Sequence, residues 1–243
     1  MGIFFDFTYS LNLLGNELIW FLFLLFCFSS ILIFLKLFGY VGLYVYTVVA
    51  VIAGNIQVLK IVDFFYFIEP VALGTILFAS TYLCTDILSE YYTKEKAQKN
   101  ILLGFSSFLF ITVIMLFTVS FEPSKNDWIQ QSLVEVFTPM TRFFIASMFA
   151  YLISQYFDVW IYALLKKISK NRNVWLRNNI STLLSSLIDN IIFSILAWIV
   201  LNPEPETLYN VIMIYIFGTY LLRVIIAVLD TPILYLAKYF IQK

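Results

Sequence analysis

Residues 176–201 read LRNNISTLLSSLIDNIIFSILAWIVL. About 20 mainly apolar residues are enough for a helix to cross the hydrocarbon core of a membrane, and this run is longer than that. Its polar side chains Asn178, Thr182, Ser185 and Asp189 are spaced by four, three and four residues, which puts them on one face of a helix. The stretch therefore predicts a membrane-spanning helix that turns a polar stripe toward the inside of a helix bundle.

The composition of the whole chain agrees with this interpretation. Of the 243 residues, 62% are hydrophobic and 12% are charged, and the mean hydropathy is +0.91. Soluble domains average about 45–50% apolar residues. The apolar runs are continuous rather than alternating and strand signals are absent, which excludes an outer-membrane β-barrel. We predict an all-α, polytopic membrane helix bundle that forms one domain over residues 1–243.

The chain has no histidine and two cysteines, Cys27 and Cys84. The lack of histidine excludes Ser–His and Cys–His catalysis, histidine metal ligands and histidine proton relays. We expect both cysteines to be buried, unreactive thiols on different helices, with no disulfide between them. The formal net charge of zero argues against binding to nucleic acid, and nothing in the sequence predicts a cofactor or a bound metal.

Seven apolar segments are long enough to be predicted as spans: Leu18–Phe38, Tyr40–Leu59, Val71–Tyr91, Ile101–Phe121, Arg142–Leu165, Leu176–Leu201 and Tyr209–Ala237. The connections between them hold most of the charges and the helix breakers. The strongest breaker is Asn202–Glu206, which contains two prolines, and proline cannot continue a helix. We interpret the first span as a retained helix, because acidic residues stand where a signal peptide would have basic ones.

The basic residues are distributed unevenly between the two sides that this count defines. With the N-terminus outside, the external segments hold only Lys60 and Lys125, and the cytoplasmic segments hold Lys36, Lys94, Lys96, Lys99, Lys166, Lys167, Lys170, Arg172, Arg177, Lys238 and Lys243. Cytoplasmic loops of membrane proteins carry an excess of lysine and arginine. We therefore predict an external N-terminus and a cytoplasmic C-terminus.

The charged side chains inside the predicted spans include Asp86, Glu90, Arg142, Asp158, Asp189, Arg223 and Asp230. An ionised group in a bilayer costs several kcal/mol, so such groups are rare without a function or a partner. They predict a polar cavity that moves a polar solute across the membrane. The candidate substrate-binding residues are Asn55, Gln57, Asp86, Glu90, Gln155, Asp158, Asn178, Asn179, Ser185, Asp189, Arg223 and Asp230.

Some of these charges have a structural interpretation as well. Glu90 can lie at the cytoplasmic surface beside Lys94, its neighbour one turn along the helix. Arg142 can cap the external end of its span together with Glu135. Serine and threonine in the sixth span can bond the backbone or a neighbouring helix.

Arg223 is the basic group that we expect deepest in the bundle. It can pair with Asp86, Asp158 or Asp189, none of which has an obvious basic partner on its own helix. Arg223 and Asp230 lie two turns apart, too far for a tight pair within one helix. Each can instead form a structural ion pair with another helix or contact another protomer.

Five segments, in the right order, resemble one known family. They are Gly54–Lys60 (GNIQVLK), Thr85–Tyr92 (TDILSEYY), Gln155–Val159 (QYFDV), Trp175–Thr182 (WLRNNIST) and Leu229–Pro232 (LDTP). Together they are similar to the motifs of the queuosine precursor transporters, within the vitamin uptake transporter group. The resemblance covers roughly residues 40 to 240 and implies a six-helix core over residues 40–243, with residues 1–39 as an extra N-terminal helix.

The resemblance implies a protein of the bacterial cytoplasmic (inner) membrane that imports 7-deazaguanines. These are the 7-cyano or 7-aminomethyl precursor of queuosine, a modified base of transfer RNA, or queuine itself. A guanine-like edge presents an N1–H and an exocyclic amine, two donors that one carboxylate accepts together. We expect Asp86 and Asp158 to serve in this way, and asparagine or glutamine to bind the carbonyl and the ring nitrogens.

Other functions remain open at the level of sequence. The chain can be the substrate-binding subunit of an energy-coupling transporter with a separate ATP-driven module, since it holds no P-loop of its own. An intramembrane enzyme with paired aspartates is a further alternative, although no protease motif accompanies them, and a purely structural protein would leave the buried charges unexplained. As a membrane protein, the chain has the lipid bilayer as a partner, and a homodimer is a further possible assembly.

Overall fold

The computed structural model describes residues 9, 11, 13–65, 70–137, 140–169 and 173–241. The positions of Lys170, Arg172 and Lys243, and the side chain of Arg142, lie outside the described part of the chain. The elements in chain order are α1 Asn16–Phe38, α2 Tyr40–Gln57, β1 Ile61–Val62, β2 Val71–Ala72, α3 Thr75–Tyr91, α4 Lys94–Ser120, α5 Gln130–Phe137, α6 Met140–Ile168, α7 Val174–Ile195, α8 Leu208–Asn210 and α9 Gly218–Phe240.

The predicted all-α membrane helix bundle is confirmed. By length and composition, six described helices can cross a membrane: Asn16–Phe38, Tyr40–Gln57, Lys94–Ser120, Phe144–Ile168, Val174–Val200 and Leu208–Phe240. The helix predicted as the third span, α3, has 17 residues, slightly short of the usual length of a span. The count of seven therefore stays a prediction, as does the division into a core from residue 40 and an added first helix.

The helix α3 lies in the centre of the bundle. It contacts α2, α4, α6 and α9, and its residues from Thr75 to Leu88 are buried with one exception, Phe78. A helix enclosed by protein on all sides need not present an apolar face to lipid, which explains why α3 carries hydroxyls and carboxylates through much of its length. Both cysteines are buried and free, Cys27 on α1 and Cys84 on α3, as expected.

Two short strands lie between α2 and α3, where the sequence shows no strand signal. There β1 and β2 form an antiparallel pair in which Ile61 is opposite Ala72 and Val62 is opposite Val71. Strands of two residues are too short to produce an alternating pattern in the sequence. The following helix begins four residues later than the predicted Val71, after Gly74, whose φ of 93° is a left-handed conformation that glycine adopts without strain.

Two further departures from the predicted spans occur at the same end of the bundle as the strands. The predicted loop Glu122–Pro139 contains the short helix α5, which follows Asp127, whose Oδ1 accepts the N–H groups of Ile129 at 2.8 Å and Gln130 at 3.0 Å. The C-terminal end of α7 continues as a π-helix over Leu196–Val200, and α9 is preceded by a π-helix over Val211–Phe217. We call this end of the bundle, which also holds the β-hairpin, the hairpin end.

Candidate functional site

A cavity of about 300 Å³ opens at the hairpin end of the bundle. It lies between the β1–β2 hairpin, α6, the end of α7 with its π-helical extension, and the start of the last helix. Its polar lining consists of Thr75, Ser147, Tyr151, Asp189, Asn190, Ser194, Tyr215, Thr219 and Arg223. The volume is at the lower end of the range of small-molecule sites, so the cavity fits a ligand of modest size. We call it the outer cavity.

An ion pair between α7 and α9 forms part of the wall of the outer cavity. The guanidinium Nη1 of Arg223 donates to Asp189 Oδ2 at 2.5 Å. The other oxygen of Asp189 accepts a hydrogen bond from the Ser154 hydroxyl at 3.1 Å, and Ser154 in turn accepts one from the Tyr82 hydroxyl at 2.8 Å. Arg223 Nε is buried and has no acceptor. Of the three carboxylates expected as possible partners of Arg223, Asp189 is the one that forms the ion pair in the structure.

The lining of the outer cavity also includes an amide and two aromatic rings. The side-chain amide of Asn190 donates to the Thr219 hydroxyl at 3.1 Å. The rings of Trp198 and Tyr215 are stacked, with centroids 4.2 Å apart and planes 16° from parallel. The two rings come from the two π-helical segments, and π-helical turns often occur at functional sites.

A second layer of polar groups lies one helical turn deeper, and its carboxylates are fully enclosed. The carboxyl groups of Asp86 on α3 and Asp158 on α6 are within hydrogen-bonding reach of each other, and both residues have no exposed surface. Helix α7 holds both of them, because Thr182 donates to Asp86 Oδ2 at 3.1 Å and Ser185 donates to Asp158 Oδ1 at 2.8 Å. We call these two aspartates the carboxyl pair.

Asp230 on α9 lies beside the carboxyl pair and is also buried. It accepts a hydrogen bond from the side-chain amide of Asn178 at 2.9 Å. Its second oxygen, and the amide oxygen of Asn178, are buried without a hydrogen-bond donor. In the described part of the chain, none of Asp86, Asp158 and Asp230 forms an ion pair with a basic side chain.

The third layer, at the end of the bundle away from the hairpin, is a dense ion cluster around Glu90. Arg177 binds Glu90 through two nitrogens, Nη2 to Oε1 at 2.5 Å and Nε to Oε2 at 3.1 Å. The Tyr162 hydroxyl donates to the same carboxylate at 3.0 Å, and Lys166 Nζ lies 3.4 Å from it. Lys166 also donates to the backbone carbonyl oxygens of Ser89 and Glu90. We call this group the inner ion cluster.

Within each helix, the polar groups of the three layers repeat at helical spacing. On α3, the residues Phe78, Tyr82, Asp86 and Glu90 recur every four positions and so occupy one face. On α6 the corresponding residues are Ser154, Asp158, Tyr162 and Lys166, and on α7 they are Asp189, Ser185, Ser181 and Arg177, in the opposite direction. Four residues rise about 6 Å, so the three helices stack their polar groups in layers about one turn apart.

The expectation that the carboxylates share one cavity is therefore only partly met. Asp189 and Arg223 line the outer cavity, whereas Asp86, Asp158, Ser185, Asn178 and Asp230 form the enclosed layer beneath it. Glu90 belongs to the inner ion cluster, and its described ion-pair partners are Arg177 and Lys166 rather than the expected Lys94.

The remaining predicted residues lie outside the three layers. Gln155 bonds Thr81 and Thr85 on α3. Asn179 donates to the Thr231 hydroxyl at 2.7 Å, and Asn55 donates to a carbonyl of its own helix. Gln57 lines a second, mostly apolar cavity of about 610 Å³ beside α1. Whether any of the predicted residues contacts substrate stays a prediction.

Sequence reasoning grouped Arg177 with the basic residues of the cytoplasmic side and made Arg223 the only basic group deep in the bundle. The structure corrects the second point, because Arg177 on α7 is also buried and is 1% exposed. The stripe that runs through Ser181, Ser185 and Asp189 would have found it, since one further step of four residues reaches Arg177. No comparable signal marks Trp198 and Tyr215, which depend on the π-helical turns.

Comparison with known proteins assigns the class of this polytopic bundle with its layered charges. Residues 72–237 match the family model described as "Putative vitamin uptake transporter". The chain is 33% identical to a protein of Bacillus subtilis (strain 168) named "Probable queuosine precursor transporter", over 92% of this chain and 95% of that protein. No solved structure matches. The chain belongs to the vitamin uptake transporter family and is a multi-pass membrane transporter.

Proposed function

We propose that this protein imports queuosine precursors, which are 7-deazaguanines, across the bacterial cytoplasmic membrane, and that it does so without an enzymatic step. Two things support the proposal: the name of the B. subtilis relative, and a cavity whose wall holds a carboxylate, a guanidinium, an amide and a pair of aromatic rings. The observation that carries it is the position of Asp189 and Arg223 on that wall. This arrangement suits a flat ligand with adjacent donors and acceptors.

The chemistry of a guanine-like edge matches these groups. The N1–H and the exocyclic amine together donate to the Asp189 carboxylate, as carboxylates accept paired donors from bases. Arg223, released in part from Asp189 and with its Nε free of an acceptor, donates to the adjacent carbonyl oxygen. Trp198 and Tyr215 line the same cavity, and stacking of a base on an aromatic side chain contributes about 1–3 kcal/mol.

One end of the bundle is open and the other is closed, as expected for one state of a transporter that works by alternating access. The outer cavity is open, and the inner ion cluster closes the other end through Glu90, Arg177, Tyr162 and Lys166. Release of a substrate on that side requires Glu90 on α3 to separate from Arg177 on α7. A transporter whose inner end opens only when its outer end has closed around the substrate moves the substrate without forming a channel.

The orientation of this scheme follows from the loop charges. With an external N-terminus, the hairpin end and the outer cavity face the outside. We expect a cysteine at Glu204 to react with a membrane-impermeant maleimide on intact cells, and a cysteine at Lys167 to react only after permeabilisation. Cys27→Ala and Cys84→Ala give the background for both. Labelling of Lys167→Cys in intact cells would reverse the proposed topology.

Transport itself is tested with the purified protein alone in liposomes. Vesicles loaded with unlabelled 7-cyano-7-deazaguanine are expected to take up the labelled compound by counterflow, and excess guanine tests the selectivity. In cells that cannot make 7-deazaguanines, expression is expected to restore queuosine in transfer RNA from low external precursor. Counterflow that appears only after addition of an ATP-driven module would instead make the chain a binding subunit, and no transport with either would refute the proposed substrate.

A further inference from the structure

The carboxyl pair is an unusual element in the interior of this bundle. Asp86 and Asp158 come from different helices, are completely buried, and lie within hydrogen-bonding reach of each other. Two ionised carboxylates at that separation repel strongly in a medium with little water. The pair therefore needs a positive charge or a proton.

The hydrogen-bond partners of the pair are incomplete in a specific way. Each carboxyl group accepts from one hydroxyl of α7, and the other oxygen of each group, Asp86 Oδ1 and Asp158 Oδ2, is buried without a donor. The Ser185 hydroxyl that serves Asp158 also lies 2.7 Å from the carbonyl oxygen of Ser181, and it has only one proton to give. A proton held between the two carboxyl groups supplies the missing donor.

The surrounding charges do not neutralise the pair. Arg223 donates to Asp189 in the layer above, and Arg177 binds Glu90 in the layer below. In the described part of the chain, the titratable groups that interact with the pair are Asp230 on α9, Tyr162 on α6 and Cys84 on α3, together with Tyr82 on the side of the outer cavity, next to Asp189. None of these is a cation.

We propose that Asp86 and Asp158 share one exchangeable proton, and that this proton crosses the membrane together with the substrate. The proposal deepens the proposed function, on which it rests, by making the protein a proton symporter. An O–H bond forms on one carboxyl group when the pair is reached from the outer cavity. It breaks when the pair is reached from the opening inner end, and no oxidation or reduction is involved.

The position of the pair suits this role. It lies about one helical turn from Asp189 and about one turn from Glu90 on the same helical faces. A group between an open cavity and a closed ion cluster exchanges protons with one side at a time. A permanently protonated pair would satisfy the same oxygens but would not respond to a proton gradient, and that difference can be measured.

The experiment uses the full-length protein in liposomes, with 7-cyano-7-deazaguanine as the probe because it carries no basic amine of its own. The membrane potential is held at zero with valinomycin and equal potassium on both sides. An external medium one pH unit more acidic than the lumen is expected to drive accumulation up to about tenfold, since one pH unit corresponds to a tenfold ratio for one coupled proton. Without the gradient, the internal and external concentrations are expected to become equal.

Counterflow in the same vesicles separates this proposal from the proposed function. Counterflow with gradient-driven accumulation supports both, and counterflow with no response to pH, or with a response to a sodium gradient instead, overturns the proton assignment alone. Absence of counterflow overturns the proposed function and the proton symport with it. The wild-type protein decides these outcomes, so they do not depend on the folding of any variant.

Variants then locate the proton. Asp86→Asn and Asp158→Asn are expected to reduce the accumulation ratio at one pH unit to about one while exchange by counterflow stays measurable. Glu122→Gln, at an exposed position, is the matched control and keeps the full ratio. If both folded variants still accumulate the substrate tenfold, the proton is carried elsewhere. If they lose counterflow together with accumulation, the pair binds substrate, as the sequence alone predicts, and the proposal is wrong.

Discussion

The outer cavity and the inner ion cluster each contain an arginine–carboxylate pair with one contact of 2.5 Å, yet the two pairs differ in how completely they are bonded. Arg223 and Asp189 share one close contact, line a cavity, and leave Arg223 Nε without an acceptor. Glu90 accepts two bonds from Arg177 and a third from Tyr162, with Lys166 also close. The side chain of Arg177 is 1% exposed, compared with 10% for Arg223.

This difference suggests how the same chemistry serves two purposes. A pair with unused hydrogen-bonding capacity on a cavity wall can exchange a partner for a ligand at small cost. A saturated, buried pair cannot lose one partner cheaply, because the remaining charge keeps its full desolvation penalty. The outer pair thus suits recognition, and the inner ion cluster suits closure of the bundle. Substitutions in the two regions should therefore affect different measurements.

The largest effect is expected from Glu90→Ala. It leaves Arg177 buried with no carboxylate at its side, and removal of one partner of a buried ion pair typically costs about 3–5 kcal/mol. Thermal unfolding of the protein in detergent, followed by the loss of helical circular dichroism, is expected to begin at a clearly lower temperature than in the wild type. Glu122→Ala, in an exposed segment, is the control and should leave the unfolding temperature nearly unchanged.

A double variant sharpens this prediction. Glu90→Leu combined with Arg177→Leu removes both charges, and replacement of a buried pair by apolar residues is often neutral in stability. We expect it to recover most of the lost stability, whereas transport should stay impaired because the inner end loses its polar closure. An unfolding temperature for Glu90→Ala equal to that of the wild type would contradict the structural role of the cluster.

A smaller effect on stability and a large one on transport are expected from the outer pair. Asp189→Asn presents an NH₂ donor to the two donors of the guanine-like edge, and Arg223→Ala removes the donor to its carbonyl. Truncation of one partner of a buried, hydrogen-bonded charge pair costs about 2–5 kcal/mol in binding. The measurement is the affinity for 7-cyano-7-deazaguanine in detergent, next to the unfolding temperature of the same samples.

The combination Arg223→Ala with Asp189→Asn tests whether the outer pair is mainly structural. It removes both charges and should restore the folded yield that Arg223→Ala alone loses, without a return of binding. Full binding by the double variant would show that the pair only stabilises the bundle. It would then place recognition elsewhere, for example in the enclosed layer around Asp230 and Asn178.

The comparison of the two regions also shows what could be read from the sequence. Spacing of four residues on α7 placed Ser185 and Asp189 on the correct face, and the limited choice of carboxylates predicted the partner of Arg223 as one of three. The layers themselves could not be predicted, because they depend on how far α3, α6 and α7 slide along one another. Periodicity within one helix contains no information on that offset.

The inner ion cluster shows a second limit. Arg177 follows the basic loop residues closely in the sequence, and the rule that basic residues mark the cytoplasmic side groups it with them. The rule describes where a charge lies along the membrane normal and not whether it is buried. The aromatic pair of Trp198 and Tyr215 was missed for another reason, since a π-helical turn changes the face on which a side chain lies and leaves no pattern in the sequence.

The smallest effect is expected from Tyr82→Phe, which removes one hydroxyl and keeps the ring. The Tyr82 hydroxyl donates to Ser154, and Ser154 donates to Asp189 Oδ1. Tyr82 therefore orients the carboxylate indirectly, through Ser154. A single neutral hydrogen bond contributes about 0.5–1.5 kcal/mol, which corresponds to a loss of affinity of roughly two- to tenfold. Tyr44→Phe is the matched control and should leave affinity unchanged, because the Tyr44 hydroxyl bonds a backbone carbonyl at the opposite end of the bundle.

Binding by Tyr82→Phe that equals the wild type would show that Ser154 holds Asp189 without help. A loss as large as that of Asp189→Asn would mean that the Tyr82 hydroxyl contacts the substrate directly.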